Sequence, residues 1–474
     1  MDFDKIMTNN LQNIASLQEM LLEVNSTNIS DIKDFLIENC LFQEKSTSKQ
    51  FLFTIDAVSH ARPNSIPLFC EIIKFSSDHI RSFFKSSEIS SIFHNNQIIL
   101  TLFQNNLIDI DSIISLSRCG FATFLFFSKE LEEKAPSFYY GRLQKSSIIR
   151  RCLTGSSKSG ENPQTNICDK EDRLTKVIEN DDVSEFQNIL SRSNISVNSS
   201  TPFSINQTNE FANYGYDTAP SLIEYAAFNG SLKIFKFLWM NEATYSDNIL
   251  KMAVLGGCYD IIHILESKKI VFDESTLNTA IEFHRNEIVE YIHSTNGIEY
   301  TNSSFLSSIS NYNISIFLNH IENLNEFNFD EALNVACEKG ILDITTILAG
   351  FIEDKKNISG LLKAAAKGHL DIVEYLVNEV KCDVNVRDEN GWTPLFFAVR
   401  NFHFDVLNFL LKNNEIDLNA IDETVLFYFF LEWCLINFLV NQTALHLAAE
   451  KNNLNAFDIL VKMKEINTDI VDHQ

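Results

Sequence analysis

The most regular feature of the chain is a two-part apolar pattern that returns through its C-terminal two thirds. In "SGLLKAAAKGHLDIVEYLVNEVKCDVNV" from 359, apolar residues first surround a small residue, Ala364; they then recur at i, i+1, i+3 and i+4 as Ile372, Val373, Tyr375 and Leu376. That spacing lays one apolar stripe along a helix. The segment "GWTPLFFAVRNFHFDVLNFLLKNNEIDLNA" from 391 superimposes on it without a gap, Leu361 on Leu395 through Asn385 on Asn419, with Val406, Leu407, Phe409 and Leu410 as its second stripe. The same register extends to "QTALHLAAEKNNLNAFDILV" from 442, "EALNVACEKGILDITTIL" from 331 and "PSLIEYAAFNGSLKIFKFL" from 220. More worn copies begin at 248, 276 and 304, and "RLTKVIENDDVSEFQNIL" from 173 reads as a degenerate leading copy.

A small residue follows the apolar pair of each first helix: Ala226, Ala253, Ala280, Ser308, Ala336, Ala364, Ala398 and Ala448. Stacked helix pairs approach closely there, which a larger side chain would prevent. One such unit cannot bury its stripe alone, so neighbouring units must stack. Successive small residues lie 27, 27, 28, 28, 28, 34 and 50 positions apart.

"TPLFFAV" at 393–399 and "TALHLAA" at 443–449 resemble the T-P-L-H-x-A signature of ankyrin repeats. The resemblance implies a period of about 33, so the early copies are shortened and the last interval is overlong. Shortening at constant helix content removes the connecting hairpin. Little or no β-hairpin is therefore expected from 220 to 360, and a recognisable one near 385–395.

The overlong interval contains "VLFYFFLEWCLINFLV", Val425–Val440. Deleting it restores "DETNQTALHLAAEKNN" in position-for-position register with "DENGWTPLFFAVRNFH", which places the insert at a hairpin tip, with Asn441 where Gly391 stands. Three readings stay open. The segment is an apolar helix that binds a partner or packs on the protein itself, a membrane anchor, or a T-rich noncoding tract translated in frame, since Phe, Leu, Ile and Val codons all carry T second. As a helix it would rise about 24 Å against a hydrocarbon core of about 30 Å. A single crossing would also put adjacent repeats on opposite sides of the bilayer.

Residues 1–150 differ. "SLQEMLLEV", "SIPLFCEIIKFSSDHIRSFF" and "NQIILTLFQNNLIDIDSIISL" have a helical period without the repeat signature, which predicts an all-α domain. This region resembles the helical part that precedes ankyrin arrays in large protein families of unicellular eukaryotes. "TGSSKSGENPQTN", 154–166, lacks periodicity and marks a linker within 151–170; the solenoid then runs over 171–474, with its regular copies from 327. The expected fold is all-α, an N-terminal helical domain followed by an ankyrin-repeat solenoid.

Composition agrees and narrows the function. Only 14 Gly and 7 Pro punctuate 474 residues, which favours helices over many-turned β structure. A net charge of −25 disfavours nucleic acid and anionic membrane surfaces as partners. The local basic group Arg142, Lys145, Arg150 and Arg151 reads as a solvated helix end. Nine scattered cysteines without a CxxC pair fit reduced thiols, and the acidic, amphipathic start is not a signal peptide, so a cytoplasmic or nuclear location is expected.

No HExxH, P-loop, GxSxG or spaced Cys/His set occurs, so neither an enzyme nor a cofactor or metal site is expected. His446 and His369 read as fold residues, as do Thr393 and Thr443, which should cap first helices, with Pro394 at the first helical position. The resemblance implies that binding surface lies on hairpin tips and on the concave side of first helices. Carried onto this chain, those positions are Arg387, Glu389, Asn390, Trp392, Arg400 and Asn401, then Ala366 and Lys367, and Glu450 and Lys451. Trp392 is either an exposed interface anchor or local packing. The expected function is a monomeric scaffold that binds a protein partner without chemistry of its own; the competing one is a membrane-associated ankyrin protein held by the insert.

Overall fold

The computed structural model describes residues 3–145, 172–193, 195–201, 220–322, 327–422, 425–430, 434–439, 442–463 and 466–467. The expected linker, with Arg150 and Arg151, lies outside the described residues. The architecture is all-α, with one short antiparallel strand pair among the described residues. Two compact units are present: one holds Thr8–Tyr300 with Asn311–Ile316, the other Thr301–Ser310 with Phe317 onward.

The N-terminal helices run from Phe3–Leu22 to Pro136–Lys145. Their buried residues repeat at helical spacing, Leu11, Ile14, Leu17 and Leu21 in the first and Phe51, Leu52, Ile55 and Val58 in Lys45–Ala61. Polar caps set the boundaries: Asn95 accepts from the Gln97 and Ile98 amides, and Asp109 from Ser112. Two side chains from these helices read the main chain of repeats in the same compact unit. Gln18, 2% exposed, donates to the Tyr312 carbonyl at 2.6 Å and accepts from the Ile314 amide at 3.1 Å. Arg62 donates to the Phe283 carbonyl at 3.2 Å while His60 stacks on the Phe283 ring, 5.1 Å between centroids. The N-terminal helices therefore grip two inter-helix turns of the early repeats.

Each repeat is a helix pair, such as Leu222–Phe228 with Leu232–Met240, or Gly360–Lys367 with Leu370–Tyr375. The expected small residues, from Ala226 to Ala448, are all 0–1% exposed. Ile372, Val373, Leu376, Val406, Leu407 and Leu410 are buried beneath them, as their stripe requires.

A recurrent hydrogen bond sets the stacking. The residue just before a second helix donates to a carbonyl near the end of the preceding repeat's first helix. His369 reaches the Glu338 carbonyl at 3.0 Å, His403 that of Ala366 at 3.0 Å, and Asn453 that of Val399 at 2.7 Å. Earlier in the chain Ser231 serves the Ile178 carbonyl, Arg285 that of Leu255 and Asn313 that of Ile281. These carbonyls are among the last four of a helix, which have no intrahelical partner. The imidazoles of His369 and His403 also lie close against Gly340 and Gly368, whose φ angles of +80° and +79° close the helices. A Cβ at those glycines would come within 2.6 and 2.5 Å of the respective rings.

Among the described residues no strand occurs from 220 to 360, apart from an isolated bridge that Ser221 makes with Ser200. The hairpin expected near 385–395 is a tight turn rather than paired strands. With so few residues available, the Asp388 amide donates to the Trp392 carbonyl at 3.0 Å while its carboxylate accepts from the Asn390 and Trp392 amides. The same closure recurs at the insert: the Asp422 amide donates to the Gln442 carbonyl at 2.9 Å, and the Gln442 amide to the Asp422 carboxylate at 2.5 Å. Asp422 and Gln442 thus stand as Asp388 and Trp392 do, with the insert between them.

The insert is not a helix. Val425–Phe430 (β1) pairs antiparallel with Cys434–Leu439 (β2), from Val425 opposite Leu439 to Phe430 opposite Cys434. Its aromatic and branched residues suit a pleated ladder better than a helix. Among the described residues, no helix is long and apolar enough to cross a membrane.

Candidate functional site

The candidate residues sit on three successive repeats of one compact unit. Thr393 holds the N-cap position with extended backbone and Pro394 begins the helix, yet the Thr393 hydroxyl makes no capping bond and is buried without a partner. The expected cap is corrected here. At the equivalent Thr443, the hydroxyl lies 2.8 Å from His446 Nδ1 in a capping box. Phe396 stands where His446 stands, so the first copy lacks the ring nitrogen that the hydroxyl would meet.

Trp392 is half-buried. Its ring packs against Phe396 and Phe397, 5.9 and 5.4 Å between centroids, and the Arg400 guanidinium lies over it at 4.8 Å. Arg400 is exposed and makes no hydrogen bond or ion pair among the described residues. The neighbouring carboxylate of Glu450 is engaged elsewhere: Lys451 binds one oxygen and Gln442 the other, at 3.2 Å. The Lys451 bond, helped by Gln442 and the nearby charge of Arg400 and opposed by burial, holds the Glu450 carboxyl below its ordinary range.

The remaining positions do structural as well as surface work. Asn401 donates to the Ala366 carbonyl at 2.6 Å, the oxygen that His403 also binds. Lys367 pairs with Glu338 at 3.3 Å. Arg387 reaches Asp417 at 3.7 Å and the Ile421 carbonyl at 3.4 Å, and Glu389 and Asn390 are exposed on the tip. Lys363 and Phe397, which the sequence reading did not single out, belong to the same face. They are equivalent positions of adjacent copies, one helical turn before Lys367 and Arg400. The gapless superposition of the copies carried that signal.

His369 and His446 are occupied by the turn and cap bonds described above, and among the described residues no group of three or more His, Cys, Asp or Glu is placed to hold a metal ion. Cys337 and Cys382 are buried free thiols, pushed up by desolvation to about 12 and about 11. Thiols so protonated are poor nucleophiles.

Two family models for ankyrin repeats match this part, one of three copies at residues 333–422 and one of a single repeat at 441–473. The chain carries ankyrin repeats. The interval the two matches leave, 423–440, holds the strand pair. A model described as a domain of unknown function (DUF3447) matches 240–320, over the shortened copies of this ankyrin-repeat protein. A curated protein named 26S proteasome non-ATPase regulatory subunit 10, from Dictyostelium discoideum, is 41% identical over 46 residues. That stretch is 10% of this chain and 20% of the relative, so the likeness spans about a fifth of that protein. Ankyrin repeats are in general protein-interaction modules.

Proposed function

We propose that this ankyrin-repeat protein is a non-enzymatic scaffold that binds a protein partner on the first-helix side and turn tips of residues 327–467. One observation carries the reading. Lys367, Asn401 and Lys451 occupy one equivalent position at the first-helix ends of three successive repeats and Ala366, Arg400 and Glu450 the position before it, with a half-buried Trp392 beneath Arg400. A row of exposed polar groups about an aromatic centre has the anatomy of a protein interface.

The test is affinity capture from a lysate with the whole chain, comparing the wild type with a Trp392→Ala, Lys367→Glu, Lys451→Glu variant and with Lys412→Glu as an exposed control elsewhere. Proteins lost with the triple variant and kept with the control support the reading, provided circular dichroism shows an unchanged melting curve. Capture indifferent to the triple variant would sink it.

A further inference from the structure

The chain has a large excess of acidic residues, 63 against 38 Lys and Arg, so a cation whose side chain is paired with no carboxylate is unusual on it. Arg400 and Lys363 are two such cations on one face. Lys363 is exposed and its ammonium makes no ion pair or hydrogen bond among the described residues. Arg400 touches only the Trp392 ring in this sense, while the adjacent carboxylates are committed: Glu338 to Lys367, and Glu450 to Lys451 and Gln442. A guanidinium laid on an aromatic face keeps the N–H donors along its edge, and these fit a carboxylate bidentately. Trp392 thus orients Arg400 and leaves that edge unused. Beside it, Phe397 is half-buried and packs on Trp392, so the surface between the two cations is aromatic.

We propose that Lys363, Arg400 and the Trp392–Phe397 pair form the docking surface for an acidic peptide segment of a protein partner. Carboxylates of that segment meet Arg400 and Lys363, and an apolar side chain between them lies on Phe397 and Trp392. This rests on the scaffold reading and names the chemistry of its partner. The net charge of the chain opposes such a segment at long range. That repulsion is screened beyond a Debye length of about 8 Å at physiological salt, whereas a bidentate contact acts within hydrogen-bond distance.

The experiment uses the full chain and three fluorescein-labelled twelve-residue peptides in which Leu alternates with Glu, Lys or Gln, read by fluorescence anisotropy at low and physiological salt. The Glu peptide is expected to bind at least about tenfold more tightly than the Gln peptide, equivalent to about 1.4 kcal/mol. Arg400→Gln and Lys363→Gln should each weaken it several-fold, Arg400→Lys should weaken it less than Arg400→Gln, and Lys412→Gln should leave it unchanged. Tighter binding of the Lys peptide, Glu-peptide binding indifferent to Arg400→Gln, or no binding of any peptide would overturn the proposal. Trp392-dependent capture of proteins that persists alongside any of these outcomes would leave the scaffold reading standing while this one falls.

Discussion

The early repeats, over 222–296, and the late ones, over 329–461, solve the same stacking problem with different residues. In two of the late copies an imidazole before the second helix binds the preceding repeat and lies against a left-handed glycine, His369 against Gly340 and His403 against Gly368. In the early copies Ser231 and Arg285 make the equivalent bond, and the turn at 283–285 is gripped by Arg62 as well. The late copies keep the ankyrin signature, while the early ones match a domain of unknown function. The geometry of stacking has outlasted the sequence that usually marks it. What the family signature tracks is one choice of donor and cap, not the requirement that donor and cap satisfy.

The largest expected effect that would separate the two regions is a pH dependence. His284 is 2% exposed in the early region, and burial, reinforced by the charges of Arg62 and His60 and opposed by its bond to the Asn311 carbonyl, lowers it from 6.5 to about 4. The unfolded chain takes up a proton near 6.5 that the folded chain refuses until about 4. The stabilisation is therefore complete above about 6.5 and is lost as pH falls toward 4, by roughly 3 kcal/mol in all. Hydrogen exchange at pH 7 and 4.5 should show protection of 272–296 falling steeply, and His284→Gln should flatten that fall. An equal fall in the variant would assign it to other groups.

Next in size is the glycine contact of the late repeats. Gly368→Ala sets a Cβ against the His403 ring in a left-handed backbone and should cost about 2–3 kcal/mol. Gly297→Ala, which shares the positive φ but meets nothing within 4 Å, should cost only about 1 kcal/mol. Urea denaturation of the two variants measures the difference; equal costs would mean that the imidazole contact contributes nothing. Smaller again is the contrast within the late repeats. Thr443→Val removes a bonded hydroxyl and should cost about 1 kcal/mol, whereas Thr393→Val removes a buried, unpartnered one and should be neutral or stabilising. The smallest expected change follows deletion of 425–440. Asp422 and Gln442 already close the loop, so the melting temperature should stay within a few degrees of its starting value, or rise slightly from the shorter loop. A collapse of the last repeat on deletion would show that the strand pair supports it.

Much of this was legible in the chain because it depends on periodicity. Helix pairs follow from the apolar stripes, and the position of the insert from the gapless register, which the paired Asp388–Trp392 and Asp422–Gln442 closures match. The strand pair within the insert was not legible, since a short apolar run is compatible with helix or strand and nothing in it signals period. The missing cap at Thr393 was written in the replacement of His by Phe396, but its meaning appears only when the hydroxyl is seen without a partner. The roles of Gln18, Arg62 and Arg285 left no trace in the sequence, because each side chain meets main chain, and main chain has no spelling. At the candidate surface, sequence alone left Trp392 divided between anchor and packing; the ring packs at a tilt against Phe397 beneath Arg400 and stays half-buried.

The recurrent bonds made by residues just before the second helices, those of Ser231, Arg285, Asn313, His369, His403 and Asn453, all end on carbonyl oxygens. A bond that reads a neighbour's backbone places no demand on the side chain at the residue it reaches, so at those carbonyl positions a substitution in one copy calls for no matching substitution in the next. Copies in such an array can be duplicated, lost or allowed to drift one at a time, and each newcomer finds the same acceptor waiting for it. An array assembled this way can change the surface it offers while the joints between its copies stay as they were.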